Sequence, residues 1–416
     1  MRILKLTPQT EKWLLARRAQ QDAEAHTIAG EIVADVRKRG DAALFTYTKK
    51  FDHTDLTKTG VWITQKEIRA AQKATSVEFR KAVEKSAENV RCVSEKQLPR
   101  PWTVETTPGV KIHQVVRPIE AIGCYVPGGQ FSLVSTLVMT VVPAKVAGVP
   151  NIVAVCPKPN PELLAAAEIL GVERIARIGG AQAIAALAYG TKSVPRVDKI
   201  FGPGNKYVTA AKQLVSNKCA IDLPAGPTEA VVFGERGNPR WIAADLLAQA
   251  EHAKDAASFF ITTSRSLACE VQREIQSQLA DLPESMAHCS TRVSGAILVA
   301  ESANQACEFI NRFAPEHLSL PEQPGKLLSK IRASGTVFLG PWGAQPLGDY
   351  ATGSNHVLPT CGWARMRGGL SAADFVKCIS VQTITSKGFL HLADAVEALA
   401  ESEGLMAHRN AVRVRR

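Results

Sequence analysis

Several absences narrow this sequence before any motif is considered. Its nine cysteines, Cys92, Cys124, Cys156, Cys219, Cys269, Cys289, Cys307, Cys361 and Cys378, stand singly with no Cys-x-x-Cys, so neither a disulfide framework nor a cysteine-built structural zinc site is expected. Aromatic residues make up only 6% and no Lys or Arg block is interleaved with them, which argues against a nucleic-acid stacking surface. The longest apolar stretch, residues 131–149, is interrupted by Ser132, Ser135, Thr136, Pro143 and Lys145, and reads as a buried helix rather than a membrane span. Charge interrupts the first residues too early for a secretory core, so a cytoplasmic protein with neither membrane nor nucleic acid as partner is expected. A repeat of solenoid period is also missing.

What is present fits a folded chain of two or three domains: 416 residues, 45% apolar and 21% charged. The formal charge of +11 is dispersed in short runs such as Arg37-Lys38-Arg39 and Lys49-Lys50. It suits an anionic cofactor better than a nucleic acid, and a solvated basic surface is the more common explanation of such a charge.

Residues 1–115 read as a helical N-terminal region, partly packed on the second of two α/β domains. A Pro-rich passage, Pro99 to Gly109, breaks those helices. Over 116–224, strands at 121–126, 152–155 and 174–178 alternate with helices at 133–147, 161–170, 181–189 and 204–215, the signature of parallel β-α-β units. The alternation returns over 225–370, with helices at 240–252, 267–279 and 303–313 and strands at 259–263, 296–300 and 317–320. A Gly-rich loop, residues 340–369, precedes a helical tail over 371–416. The fold class is therefore α/β: two incomplete Rossmann-like parallel-sheet domains between a helical N-terminal region and a helical tail. Ligands are expected in the cleft outside the carboxyl ends of the parallel strands.

Four segments could carry chemistry. Gln249 and His252 are three apart and would share a helix face, able to converge on one ion or simply to form a polar surface. Glu316-His317 joins a carboxylate to an imidazole between a helix and a strand, a pairing suited to proton transfer and also to an ordinary turn. The loop 347–356 is dense in donors, including Asp349 and His356, although Asp349 and Asn355 could equally make Asx turns. Glu403 and His408 lie close to the chain end, where a lone histidine is ordinarily a surface residue. Imidazole and oxygen donors together match zinc with an open position.

No strict G-x-G-x-x-G is present, and Gly202-Pro203-Gly204-Asn205-Lys206-Tyr207 fails at its last position. Three glycine turns, at Tyr125–Gly129, Gly179–Gln182 and Gly202–Asn205, nevertheless precede helix starts where backbone amides could approach a phosphate.

Taken in order, the Tyr125 turn, Pro143–Val149, Gly202–Tyr207, Asp222–Glu229, Gln249–His252, Pro315–Leu318, Gly348–Pro359 and Ala407–Asn410 resemble histidinol dehydrogenase across nearly the whole chain. The resemblance implies NAD-linked four-electron oxidation of L-histidinol to L-histidine through L-histidinal. It implies one Zn2+ per subunit held by Gln249, His252, Asp349 and His408, with Glu316 and His317 catalytic. Tyr125, Gln182 and Asn205 would contact NAD, placing residues 116–224 on the NAD side. Thr228, Gln249, His252, His317, Asp349, His356, Glu403 and His408 would contact substrate. Thr228 stands where the family usually has Ser, so the hydroxyl is kept and a methyl added. The resemblance further implies an intertwined homodimer whose tail, residues 371–416, completes the partner's active site. A paralogous dehydrogenase of another small polar alcohol, such as a sulfonated diol, is the alternative; Glu403 would repel a sulfonate and favours histidinol. A noncatalytic nucleotide- or RNA-binding protein and a structural zinc protein are the readings from other classes.

Overall fold

The computed structural model describes residues 1–16, 23–128, 133–224, 226–283, 286–322 and 325–416. Gly129 of the Tyr125 turn, Phe131 and Ser132 of the apolar stretch, and Ala225 before Thr228 lie outside the described residues.

A strand, β1 (Arg2–Lys5), precedes helices α1 (Pro8–Ala16), α2 (Ala23–Arg39), α3 (Asp41–Asp52), α4 (Leu56–Thr59), α5 (Gln65–Ala74) and α6 (Val77–Gln97). The helix starts are written locally. Thr64 and Glu67 form a reciprocal capping box at α5, and the Ser76 hydroxyl accepts from the Phe79 amide at α6. Helix α2 buries Ala25, Ala29, Ile32, Val33 and Val36 at helical spacing.

The Pro-rich passage is not merely a helix break. Pro108 and Gly109 turn β2 (Trp102–Thr107) back into β3 (Val110–Pro118) as an antiparallel hairpin. Then follow β4 (Ala121–Tyr125), α7 (Val134–Val146), β5 (Asn151–Val155), α8 (Pro161–Ile169), β6 (Arg174–Ala176), α9 (Gly180–Tyr189), β7 (Lys199–Phe201), α10 (Lys206–Val215) and β8 (Ala220–Ile221). These strands form a parallel sheet in the order β6-β5-β4-β7-β8. The chain moves outward from β4 to β6, then crosses back to lay β7 on the other side of β4. Side chains alternate between faces: Ile122, Cys124 and Ala154 pack with α5, α6, α7 and α8, whereas Val153, Val155 and Ile200 pack with α2, α3, α9 and α10. Most N-terminal helices thus cover this first sheet, while β1 pairs into the second and Leu14 of α1 joins its core.

The second sheet is built by β9 (Glu229–Phe233), α11 (Pro239–Ala250), β10 (Ala257–Thr262), α12 (Arg265–Asp281), α13 (Met286–Val293), β11 (Ala296–Val299), α14 (Ala303–Phe313), β12 (His317–Leu320), α15 (Gly325–Leu328) and β13 (Thr336–Leu339). Its parallel order is β1-β11-β10-β9-β12-β13. Val231, Phe259, Ile261 and Leu318 face Phe309 and Phe313 of α14, and Val232, Phe260 and Ile297 face Leu246 of α11 and Val271 of α12.

A short helix, α16 (Gln345–Tyr350), interrupts the Gly-rich loop. The tail, expected to be helical, opens instead with β14 (Val376–Ile384) before α17 (Ser386–Ser402) and α18 (Met406–Arg413). β14 pairs antiparallel with β3, Val376 opposite Pro118 and Ile384 opposite Val110, in a separate sheet ordered β14-β3-β2. All but its first residue are exposed, and the short alternation Ile379-Ser380-Val381-Gln382 fits this strand rather than the expected helix. Among the described residues no helix is long and apolar enough to cross a membrane.

Candidate active site

β9 and β12 are neighbours in the second sheet, with His317 opposite Ala230. That register sets Thr228 and Glu229, at the amino end of β9, beside Glu316 and His317 at the amino end of β12. The expected carboxyl-end cleft is therefore corrected for this sheet: its reactive groups gather at the opposite edge. Local sequence explains the placement of the dipeptide. Helix α14 ends at Phe313, Ala314 takes a left-handed conformation with φ of 48°, and Pro315 cannot continue the helix, so the chain turns straight into β12. Gly335 permits the close passage of β13, since a Cβ there would meet the Glu316 carbonyl oxygen at 2.5 Å.

Four side chains, two on α11 and α16 and two just before β9 and β12, form one hydrogen-bonded chain. Gln345 Nε2 donates to Gln249 Oε1, and Gln249 Nε2 donates to Thr228 Oγ1 at 2.5 Å. The Thr228 hydroxyl donates to Glu316 Oε2, which also accepts the Glu229 amide at 2.9 Å. The second carboxylate oxygen, Oε1, has no partner among the described residues. Gln249, Glu316 and His317 are buried, so each of these bonds is made in a low-dielectric setting where its loss is costly.

The His317 imidazole lies between two carboxylates, with Nδ1 3.6 Å from Glu316 Oε2 and Nε2 3.6 Å from Asp349 Oδ1. Burial alone would lower its pKa, but the charges of Glu316 and Asp349 outweigh that and raise it above the ordinary imidazole value. Burial works against ionisation of Asp349 too. His317, His356 and His252 outweigh it and hold the carboxyl below its usual range. The His356 ring is lowered, first by burial, and its Nε2 is buried with no partner among the described residues.

His252 needs a correction. The expected helix over 240–252 stops at Ala250, so Gln249 is the fully buried last-turn residue while His252 lies beyond the end, exposed, its Nδ1 3.2 Å from the Ala248 carbonyl. The helix face proposed from spacing is replaced by a helix end followed by a turn. Even so, an amide oxygen on Gln249, an imidazole on His252 and a carboxylate on Asp349 make the mixed donor set zinc accepts. Gln249 Oε1 retains a second lone pair beside the Gln345 bond. Among the described residues no three His, Cys, Asp or Glu side chains converge closely enough to cage an ion. The donor types suit zinc, and among the described residues they do not by themselves form a closed site.

His408 and Glu403 are not beside this cluster. Glu403 caps the end of α17 and His408 lies on α18, both exposed, and α18 is tied to α17 through Arg409 with Glu401 and Arg416 with Glu397.

The three other expected residues gather on the first sheet, at the carboxyl ends of its strands. Tyr125 ends β4, Gln182 lies in the first turn of α9 after β6, and Asn205 follows β7. The Gly180 amide donates to the Tyr125 hydroxyl at 3.1 Å, and Gly128 and Gly179 both abut the Pro157 ring. Asn205 caps α10, its Oδ1 accepting from Tyr207 and Val208 at 3.0 and 3.1 Å. Sequence reasoning missed Asp52, the last residue of α3, whose Oδ2 accepts from Gln182 Nε2 at 3.2 Å. Burial pushes its carboxyl up to about 6 against the opposing pull of Lys158 and Gln182. It also missed Gln345, the first residue of α16, in a stretch read as a loop. Neither carries a local motif, and only the fold brings them in.

The chain leaves the first sheet at the carboxyl end of β8 and enters the second at the amino end of β9, through residues 222–228, a span of at most about 25 Å.

Comparison with known proteins adds an independent line. Residues 15–416 match the family model described as Histidinol dehydrogenase. The chain is 47% identical over 393 residues to histidinol dehydrogenase of Halalkalibacterium halodurans, covering 92% of each, and 42% identical over 411 residues to that of Methanosarcina barkeri, covering 97% of this chain and 94% of the other. The crystal structure of histidinol dehydrogenase from Elizabethkingia anophelis superposes with a TM-score of 0.95 at 38% identity, covering 100% of this chain and 98% of that one.

Proposed function

Because the chain belongs to the histidinol dehydrogenase family, an oxidoreductase family of histidine biosynthesis, we propose that it converts L-histidinol to L-histidine through L-histidinal with two NAD and one zinc ion. The observation that carries this reading is the buried Glu316–His317 pair, locked to Thr228 and Gln249 and facing Asp349.

Gln249, His252 and Asp349 would hold the zinc, with His408 of the partner subunit as the further ligand. When bound, zinc would anchor the amine and imidazole of the substrate, and NAD would accept a hydride at each oxidation. His317 takes the alcohol proton in the first oxidation. Its raised pKa makes it a stronger base, and the flanking carboxylates stabilise the imidazolium that results. Glu316 serves the second oxidation: one oxygen is fixed by Thr228 and Glu229, leaving Oε1 to take a proton from water as it adds to the aldehyde. As water adds, the carbonyl oxygen takes back the proton held by His317, and His317, neutral again, then removes the hydroxyl proton of the hydrate as its hydride passes to the second NAD. Thr228 and His356 line the substrate's place, and Glu403 of the partner subunit suits the cationic amine. Tyr125, Gln182 and Asn205 receive the dinucleotide at the switch between β4 and β7, where open α/β sheets bind ligands.

A homodimer is supported by the exposed apolar side chains of the tail: Ile379, Val381 and Ile384 on β14, Leu390 and Leu399 on α17, and Leu405 and Met406 at α18. The reading includes a cytoplasmic location. It is tested by incubating purified protein with limiting L-histidinol and excess NAD. The expected result is two NADH per histidinol, lost on chelation and restored by zinc. NADH formation indifferent to chelator removes the metal from the reading, and none with histidinol removes the substrate.

A further inference from the structure

The turn between β7 and α10 is held from below by two buried charges that no local motif predicts. Gly202 opens this turn with φ of 110°, and a Cβ there would meet the Tyr125 carbonyl oxygen at 2.1 Å, so two backbones touch at the switch point of the first sheet. Beneath it, Lys212 of α10 and Asp222 after β8 form an ion pair whose side chains are only 3% and 1% exposed. Asp222 Oδ2 accepts the Gly202 amide at 2.7 Å, and Lys212 Nζ donates to the Gly202 carbonyl at 2.9 Å as well as to Asp222 Oδ1. The Leu223 amide at 2.6 Å completes the carboxylate. Arg367 reaches the Asp222 carbonyl from the Gly-rich loop and is itself paired with Asp374 at 3.2 Å.

A buried ion pair is a poor way to gain stability, because desolvation offsets most of the attraction and apolar residues of similar volume commonly do as well. What this pair supplies instead is direction: one residue's N–H and C=O are each gripped by an opposite charge. We infer that Lys212 and Asp222 are positioning residues for the dinucleotide, fixing the Gly202–Asn205 turn in its binding form before the ligand arrives. The inference rests on the reading of Tyr125 and Asn205 as dinucleotide contacts. With the turn fixed, Asn205 Oδ1 stays committed to capping α10, and its Nδ2, without a partner among the described residues, is left for the ligand. Asp222 is also six residues before Thr228, so the same clamp anchors the strand of chain leading to the catalytic cluster.

The test is the double variant Lys212→Met/Asp222→Asn, which removes both charges at similar volume. Its NADH dissociation constant, read by fluorescence titration, is expected to rise at least tenfold, while zinc content and the affinity for histidinol without dinucleotide stay at wild-type values. Equal NADH affinity in a folded double variant overturns the inference alone. A wild type that binds no NADH removes the dinucleotide reading and the inference with it. Hydrogen exchange on the ligand-free wild type needs no variant: the Gly202 amide should be among the slowest of its segment, and rapid exchange there overturns the preformed clamp.

Discussion

The two parallel sheets are wound alike and carry their candidate sites at opposite ends. On the first, the candidate site lies at the carboxyl ends of β4, β6 and β7 and is made of glycine turns, helix starts and backbone amides. On the second, it lies at the amino ends of β9 and β12 and is made of side chains linked in series from Gln345 to Glu316. The short crossing from β8 to β9 keeps the carboxyl end of β8 within about 25 Å of the amino end of β9. One architecture thus carries two candidate sites, a backbone-lined surface proposed to receive a dinucleotide and a side-chain cluster proposed to transfer protons, and the two should fail differently: the first when a Cβ is added, the second when a functional group is changed.

The largest break is expected at Asp349→Asn. Removing the carboxylate that faces His317 and belongs to the proposed zinc set should lower turnover by about 10³-fold and leave the purified enzyme short of zinc by elemental analysis. Glu316→Gln sharpens the division within the side-chain site. Alcohol oxidation should persist while aldehyde oxidation falls by about 10²-fold, read as one NADH per histidinol with aldehyde trapped by a carbonyl reagent. Equal loss of both steps would remove the separate role of Glu316. Gly202→Ala addresses the other sheet. It should weaken NADH binding by about tenfold or more, equivalent to roughly 1.4 kcal/mol, and spare histidinol affinity in a calorimetric titration.

The smallest effect concerns stability. Burial pushes the Asp245 carboxyl, on α11 behind the cluster, up to about 6 against a backbone hydrogen bond from Gln345. A carboxyl raised in the folded state favours folding when protonated, so the molecule loses stability as pH rises from about 4 through 6. Asp245→Asn should therefore raise the melting temperature at pH 8, by on the order of 1 kcal/mol of stability after solvent screening, and leave it nearly unchanged at pH 4. An equal gain at both pH values would contradict the assignment.

The alternation of strands and helices was legible because the sheets are buried on both faces. Runs such as Val153–Val155 and Phe259–Ile261 must be apolar throughout, and the helices between them carry caps such as Asn160 and Ser264. β7 and β8, of three and two residues, are too short for any periodic signal. β14 carries a short alternation at Ile379–Gln382, but it is almost wholly exposed and finds its partner across most of the chain, so its pairing is not local. At the site, Glu316-His317 was visible as a dipeptide, but its hold on Thr228 and Glu229 depends on the register of β9 against β12. Asp52, Gln345 and the Lys212–Asp222 pair act through contacts that only tertiary structure makes.

The account depends most on a separation of labour between the two sheet edges, and His317→Asn tests it directly. With both ligands saturating, NADH production by this variant should fall by about 10³-fold in both oxidations while its NADH dissociation constant and zinc content match the wild type. Turnover within a few-fold of wild type would contradict the claim that the amino-end cluster of the second sheet performs the chemistry.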